Sequence, residues 1–137
     1  MARSNAIGKM RAIAEDTTDP KQVLFRALGK HGTVVLHSQV LVAGYVRPAK
    51  TAGGIWLTDK AVEEDRYQGN IGMVVGLGAG AFKDDAVAKF NGDKLKISDW
   101  VMYVPADGIA LFINEVPCRL FSDTRILMKV ENPEIYF

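Results

Sequence analysis

Short apolar or alternating stretches, separated by turn residues, follow one another after residue 33 and indicate β-strands. They run over 34–42, 71–75, 95–104, 109–113, 116–121 and 125–130. Turn signals stand at Asn91-Gly92, 106–108, Asn114-Glu115 and Ser122-Asp123. In the third stretch, Trp100 and Met102 are expected to face away from Val101 and Tyr103. Many short strands with regular turns and few helices favour an all-β sandwich or barrel.

Residues 1–35 have a different pattern and are predicted to form an N-terminal extension with one short helix. Asp19 and Pro20 read as a helix N-cap followed by proline at the first helical position. The apolar residues that then share one helical face are Val23, Leu24, Ala27 and Leu28. Gly29 and Gly32 end the pattern, so the helix is expected over about 20–29.

The chain has 137 residues, 48% of them hydrophobic, which suits one domain with a small core. Its 17 basic and 16 acidic residues give a formal net charge of +1, so no nucleic-acid surface is expected. No apolar stretch approaches the ~20 residues that span a membrane, and residues 1–10 lack the apolar region of a secretory signal. The single cysteine, Cys118, is expected to be a buried apolar residue and suits a cytoplasmic protein.

Candidate catalytic and metal-binding residues are few. His31 and His37 have no cysteine pair or carboxylate at ligand spacing, so no metal site is predicted. His37 is expected to pack or hydrogen-bond on a strand. No serine stands in a nucleophile-elbow context. Arg119 follows Cys118 but should point to the opposite face of a strand, so an activated thiol is not expected.

One glycine-rich segment supports a competing interpretation. Residues 76–81 satisfy the G-x-G-x-x-A pattern of dinucleotide-binding domains, after an apolar strand and before a helix expected at 84–90. Asp99 lies about 20 residues further on, where such domains place the acid that binds ribose. However, the chain after Asp99 reads as hairpins, and the upstream half shows no β-α-β alternation. A nucleotide-binding α/β domain is therefore the alternative fold.

The segment 50–58 places two glycines, Gly53 and Gly54, directly before the large apolar residues Ile55, Trp56 and Leu57. Because glycine loses more entropy than other residues on ordering, an apolar triplet on such a segment is a poor way to build a core. It suits a hook that folds onto a partner protein. A turn that leads into a strand at 55–58 is the simpler interpretation, and these residues alone leave both open.

Five pieces of the chain occur in a fixed order, at 36–42, 52–58, 72–80, 96–101 and 120–127. They resemble, in turn, the first core strand, the mobile-loop motif A-G-G-I-x-L, the next glycine-marked strand, the motif K-V-G-D-x-V and the C-terminal strand of the GroES-type co-chaperonin family. The first two pieces follow each other at the family's spacing without a gap. The resemblance extends over 36–130 and leaves a tail at 131–137.

The resemblance implies a small, partly open GroES-like β-barrel over 36–130, with a roof-type hairpin at 81–95, assembled as a homo-oligomeric sevenfold ring. It implies a cytoplasmic co-chaperonin rather than an enzyme. Such a protein caps a chaperonin ring and needs no cofactor of its own, because the chaperonin uses the ATP. The implied chaperonin-binding residues are Ile55, Trp56 and Leu57, with Gly53 and Gly54 giving the loop its flexibility.

Several positions depart from the family pattern. Residues 33–35 replace the usual Arg-Pro, Ser38-Gln39 stand for Asp-Arg, Ser98 replaces a turn glycine, and Trp56 is bulkier than the usual residue. The extension and the tail have no counterpart in the bacterial core protein. Such divergence resembles phage-encoded co-chaperonins that serve capsid-protein folding. It equally suits a phage virion protein, a capsid-decorating or tail-associated subunit that reuses the barrel, and this is the alternative function.

Overall fold

The computed structural model describes residues 19–45, 70–83 and 94–133. They form one helix, α1 (Pro20–Leu28), and six strands: β1 (Gln39–Gly44), β2 (Ile71–Leu77), β3 (Trp100–Tyr103), β4 (Ile109–Ile113), β5 (Val116–Ser122) and β6 (Ile126–Val130). Single 3-10 turns at Pro105–Asp107 and Asp123–Arg125 connect β3 to β4 and β5 to β6. The strands form one sheet in the order β4-β5-β1-β2-β3-β6, and all neighbours are antiparallel. The all-β prediction is therefore confirmed.

The sheet is curled so that one of its faces becomes an enclosed interior. The buried valines of this face are Val40, Val42, Val74 and Val101, which form the interior cluster with Tyr103 and Phe121. Tyr103 lies on β3 and Phe121 on β5, with two strands between them, so a flat sheet would hold them roughly 14 Å apart. Their ring centroids are instead 4.6 Å apart. This curvature is that of a small, partly open barrel, as the resemblance implied.

The opposite face of the sheet is also apolar, and α1 covers part of it. Strand residues of this outer cluster include Leu41, Ala43, Met73, Trp100, Cys118 and Val130. The helix adds Val23, Leu24, Ala27 and Leu28, the four residues of its predicted apolar face, and all four are buried. The helix packs against β5. It is therefore a second layer over the barrel.

Both ends of α1 lie where the sequence predicted them. The Asp19 side chain accepts a hydrogen bond from the amide of Lys21, and Pro20 is the first helical residue. Gly29 ends the helix with φ +59°, a positive value that glycine adopts readily because it has no β-carbon. The end is also held from outside, because the side-chain amide of Asn114 donates a hydrogen bond to the Leu28 carbonyl.

Two strands are shorter than predicted. β1 begins at Gln39 rather than at residue 34, because His37 adopts a left-handed turn with φ +56° just before it. The prediction that His37 packs on a strand is wrong: its side chain is exposed, and its carbonyl accepts a hydrogen bond from the Gly80 amide. β3 covers only Trp100–Tyr103 of the predicted 95–104, because a turn precedes it. The other four strands lie within two residues of their predicted bounds.

Replacing Ser98 by glycine is expected to stabilise the protein by up to about 1 kcal/mol, since Ser98 has φ +84° in that turn. Side chains other than glycine are strained there, and glycine is the residue that the family pattern has at this position. The free energy of unfolding from urea titration measures the gain. Lower stability of Ser98→Gly than of the parent would mean that the serine side chain stabilises the turn more than its backbone strains it.

Alkaline unfolding is expected to depend on Tyr103. Burial raises the pKa of Tyr103 well above its ordinary 10.0, against a weaker lowering by the charge of Arg119. Below pH 10 both folded and unfolded chains keep this proton, so stability is unaffected. Above it the unfolded chain releases the proton first, so stability falls with rising pH, by at most about 1.4 kcal/mol per unit for this group. Urea titrations of Tyr103→Phe and the parent between about pH 8 and 11 should show a shallower fall for the variant. Parallel curves would contradict this assignment.

Candidate functional site

The predicted chaperonin-binding residues Ile55, Trp56 and Leu57, with Gly53 and Gly54, lie outside the described residues. They belong to segment 46–69, which joins β1 to β2. The structure does describe the residues on either side of this segment. We call Tyr45, Asn70 and Ile71 the loop base.

The loop base fixes the two ends of segment 46–69 side by side. Gly44 of β1 stands opposite Gly72 of β2 in an antiparallel ladder. The Tyr45 amide donates to the Ile71 carbonyl at 2.9 Å, and the Tyr103 amide of β3 donates to the Asn70 carbonyl at 2.9 Å. An ordinary hairpin would join such strands with about two to five residues. A much longer connection in a compact domain is most often a binding segment.

The side chain of Tyr45 anchors the first end of the segment. Tyr45 is 2% exposed and belongs to the outer cluster. Its ring meets Trp100 edge to face, with centroids 5.3 Å apart and planes at 88°. Edge-to-face pairs add attraction beyond the area that they bury. Sequence reasoning did not single out Tyr45, although it continues the alternation of Leu41 and Ala43 along β1.

The opposite end of the barrel holds segment 81–95, the predicted roof hairpin. Residues 84–93 of it are outside the described part, but Ala81, Phe82 and Leu95 pack against the interior cluster. Asp123 is 5% exposed and accepts a hydrogen bond from the Phe82 amide at 2.9 Å. The sequence marked Asp123 only as a turn residue, because the partner of its carboxylate is distant along the chain. The two long segments therefore leave the barrel from opposite ends of the sheet.

The glycine-rich segment serves backbone packing. A β-carbon at Gly76 would stand 2.6 Å from a methyl group of Val35, and one at Gly78 would overlap the carbonyl oxygen of His37. Asp99 accepts a hydrogen bond from the Lys96 amide. It also lies 3.7 Å from the ammonium of Lys129. The alternative of a nucleotide-binding α/β domain is wrong, because every neighbouring pair of strands in the described sheet is antiparallel.

Cys118 is buried in the outer cluster, as predicted, and its thiol donates to the Val116 carbonyl at 3.5 Å. The guanidinium of Arg119 donates to the Pro105 carbonyl. Within 19–45, 70–83 and 94–133, no three His, Cys, Asp or Glu residues are grouped to hold a metal ion. In the same described ranges, no helix has the length and hydropathy needed to cross a membrane.

Comparison with known proteins adds an independent finding. The family model described as the chaperonin 10 Kd subunit matches residues 33–130, which is more than half of the chain and includes all six strands. No curated protein matches the chain. The family resemblance read from the sequence is thereby confirmed. The chain belongs to the chaperonin 10 Kd subunit family, whose general role is that of a co-chaperonin.

Proposed function

We propose that this chain caps a chaperonin ring through residues 46–69 and so assists the ATP-dependent folding of client proteins. The observation that carries the proposal is the family match over 33–130. The loop base supports it, because a segment with Gly53-Gly54 before Ile55, Trp56 and Leu57 starts and ends on two paired strands. The chaperonin uses the ATP, and no catalytic step or cofactor is assigned to this chain.

The energetics of such a segment suit reversible capping. Burial of three large apolar side chains contributes about 1.5–3 kcal/mol each. Ordering each residue that docks costs about 1–2 kcal/mol in backbone entropy, which offsets most of this gain, so one segment binds weakly. Several segments on one ring bind far more tightly, because each raises the effective concentration of the next. A ring whose segments each bind weakly can therefore cap the chaperonin chamber and still dissociate from it.

Assembly into a homo-oligomeric ring, proposed here as a heptamer, is supported by the edges of the sheet. Among the described strands, β4 and β6 have a single strand neighbour each. Edge strands present unpaired backbone groups to other chains. Apolar side chains stand on both edges: Ile109 of β4 is 69% exposed and Leu127 of β6 is 61% exposed. Contacts between copies would cover them.

Mixing the purified chain with a double-ring chaperonin and ATP tests the function. Capped rings in electron micrographs, together with a higher yield of a refolded client, are expected. A phage capsid protein is the first client to try, given the divergence from the bacterial pattern. The proposal would be overturned if no chaperonin tested were capped, even at chain concentrations well above those at which known co-chaperonins bind. Recovery of the chain at fixed stoichiometry in virus particles would then support the alternative function, that of a phage virion protein.

A further inference from the structure

The helix α1 and the loop base lie at the same end of the barrel. Ala43 of β1 stands opposite Cys118 of β5. Two residues further along each antiparallel strand are Tyr45 and Val116, which are therefore neighbours beside the β4–β5 turn. That turn contains Asn114, whose side chain holds the last carbonyl of α1. The C-terminal end of the helix thus lies next to the start of segment 46–69.

A continuous apolar layer joins the helix to Tyr45. Leu24, Ala27 and Leu28 of α1 belong to the same outer cluster as Tyr45 and Trp100. The helix residues are 0–2% exposed, Tyr45 is 2% exposed and Trp100 is 4% exposed. Close-packed protein interiors transmit displacement, because a side chain cannot move without its neighbours. If α1 loosens, the Tyr45 ring in the same cluster is therefore expected to gain freedom as well.

The chain between α1 and β1 is also fixed against the outer cluster. Val35 packs against the outer cluster, and the missing side chain of Gly76 leaves the room for it. The helix is thus held through Asn114 at its C-terminal end, and the chain that follows the helix is held through Val35. None of the α1 residues lies within the 33–130 matched to the family.

We propose that α1 positions the base of segment 46–69 through Tyr45, an addition of this chain to the family barrel. The effect of this positioning on chaperonin binding rests on the proposed function, the capping of a chaperonin ring. By holding the Tyr45 ring, the helix fixes the orientation of the last residue before segment 46–69. Part of the ordering that docking requires is then already in place, and preorganisation of this kind raises affinity. Leu24 and Asn114 are positioning residues, since they act through Tyr45 and not by contact with the chaperonin.

Amide hydrogen exchange tests the coupling without any partner. The Tyr45 amide, which donates to the Ile71 carbonyl, reports opening of the loop base. In Leu24→Ala its exchange is expected to accelerate at least tenfold more than that of amides in the middle of β1. Val40→Ala is the control, because it removes a buried side chain from the interior cluster at the far end of β1. It should accelerate the β1 amides together. The same profile in both variants would overturn the proposal.

Chaperonin capture tests the consequence. Leu24→Ala is expected to weaken ring capture about tenfold, Val40→Ala less than twofold, and Leu24→Met to restore the parent value. Asn114→Gly removes the cap while tolerating the left-handed backbone, and keeps the test available if Leu24→Ala does not fold. Selective exchange at Tyr45 with unchanged capture would overturn the positioning role. If the parent chain captures no chaperonin, the proposed function fails, while the exchange profiles still decide whether α1 holds Tyr45.

Discussion

Trp56→Ala is expected to abolish capture of a chaperonin ring while the chain still folds and assembles. Trp56 is the largest of the three apolar residues after Gly53-Gly54. Truncation of a tryptophan that is buried at an interface costs about 2 kcal/mol or more. That is roughly 30-fold for one segment, and the loss compounds when several segments of one ring must bind together. Native mass spectrometry of the mixture with ATP, and the yield of a refolded client, measure the effect.

An apolar truncation outside the segment gives the matched control for this experiment. Ile97 is 43% exposed in the turn before β3, so Ile97→Ala removes a partly exposed apolar side chain of similar kind. Its capture of the chaperonin should equal that of the parent. Capture by Trp56→Ala at the parent level would show that Trp56 does not dock on the chaperonin, and would favour the simpler interpretation of a turn that leads into a strand.

The strands and the helix were largely predictable because their signals are local. Alternation along Trp100–Tyr103 gave the two faces of β3, and the Asp19-Pro20 start with Gly29 at the end gave α1. The second apolar layer had a local signal too. The runs Val40–Ala43 and 71–75 are apolar on both faces, which is typical of strands that are covered on both sides. An amphipathic helix without a partner was the element available to cover one of them.

The rest of the candidate site depends on contacts between residues far apart in the chain. Asn114 meets Leu28, and Asp123 meets Phe82, and neither partner can be read from a window of sequence. The glycine-rich segment misled for a related reason. Glycine allows close approach of any backbone, and the sequence does not say whether the neighbour is a phosphate or the His37 carbonyl. The late start of β1 was hidden as well, because the His37 turn has no glycine or proline to mark it.

Gly78→Ala is expected to destabilise the protein severely, whereas Gly80→Ala should be nearly neutral. A β-carbon at Gly78 would overlap the His37 carbonyl oxygen and stand 2.7 Å from that of Leu36. Both obstacles are backbone atoms, and the Gly78 amide itself is bonded to the Gln39 carbonyl, so neither side can move freely. Overpacking of this kind costs about 3 kcal/mol. In a domain of this size it lowers the melting temperature by roughly 10 °C.

Gly80 provides the matched comparison because it faces the same turn from a greater distance. A β-carbon there would stand 3.4 Å from the His37 carbonyl oxygen, and the residue does not need a positive φ. Thermal unfolding of both variants at one protein concentration separates steric overlap from the general effect of losing a glycine. Equal melting temperatures would mean that the turn at His37 yields easily. The contact between Gly78 and residues 36–37 would then not determine where β1 begins. The close approach of the two backbones would be a consequence of barrel formation and would not stabilise the barrel.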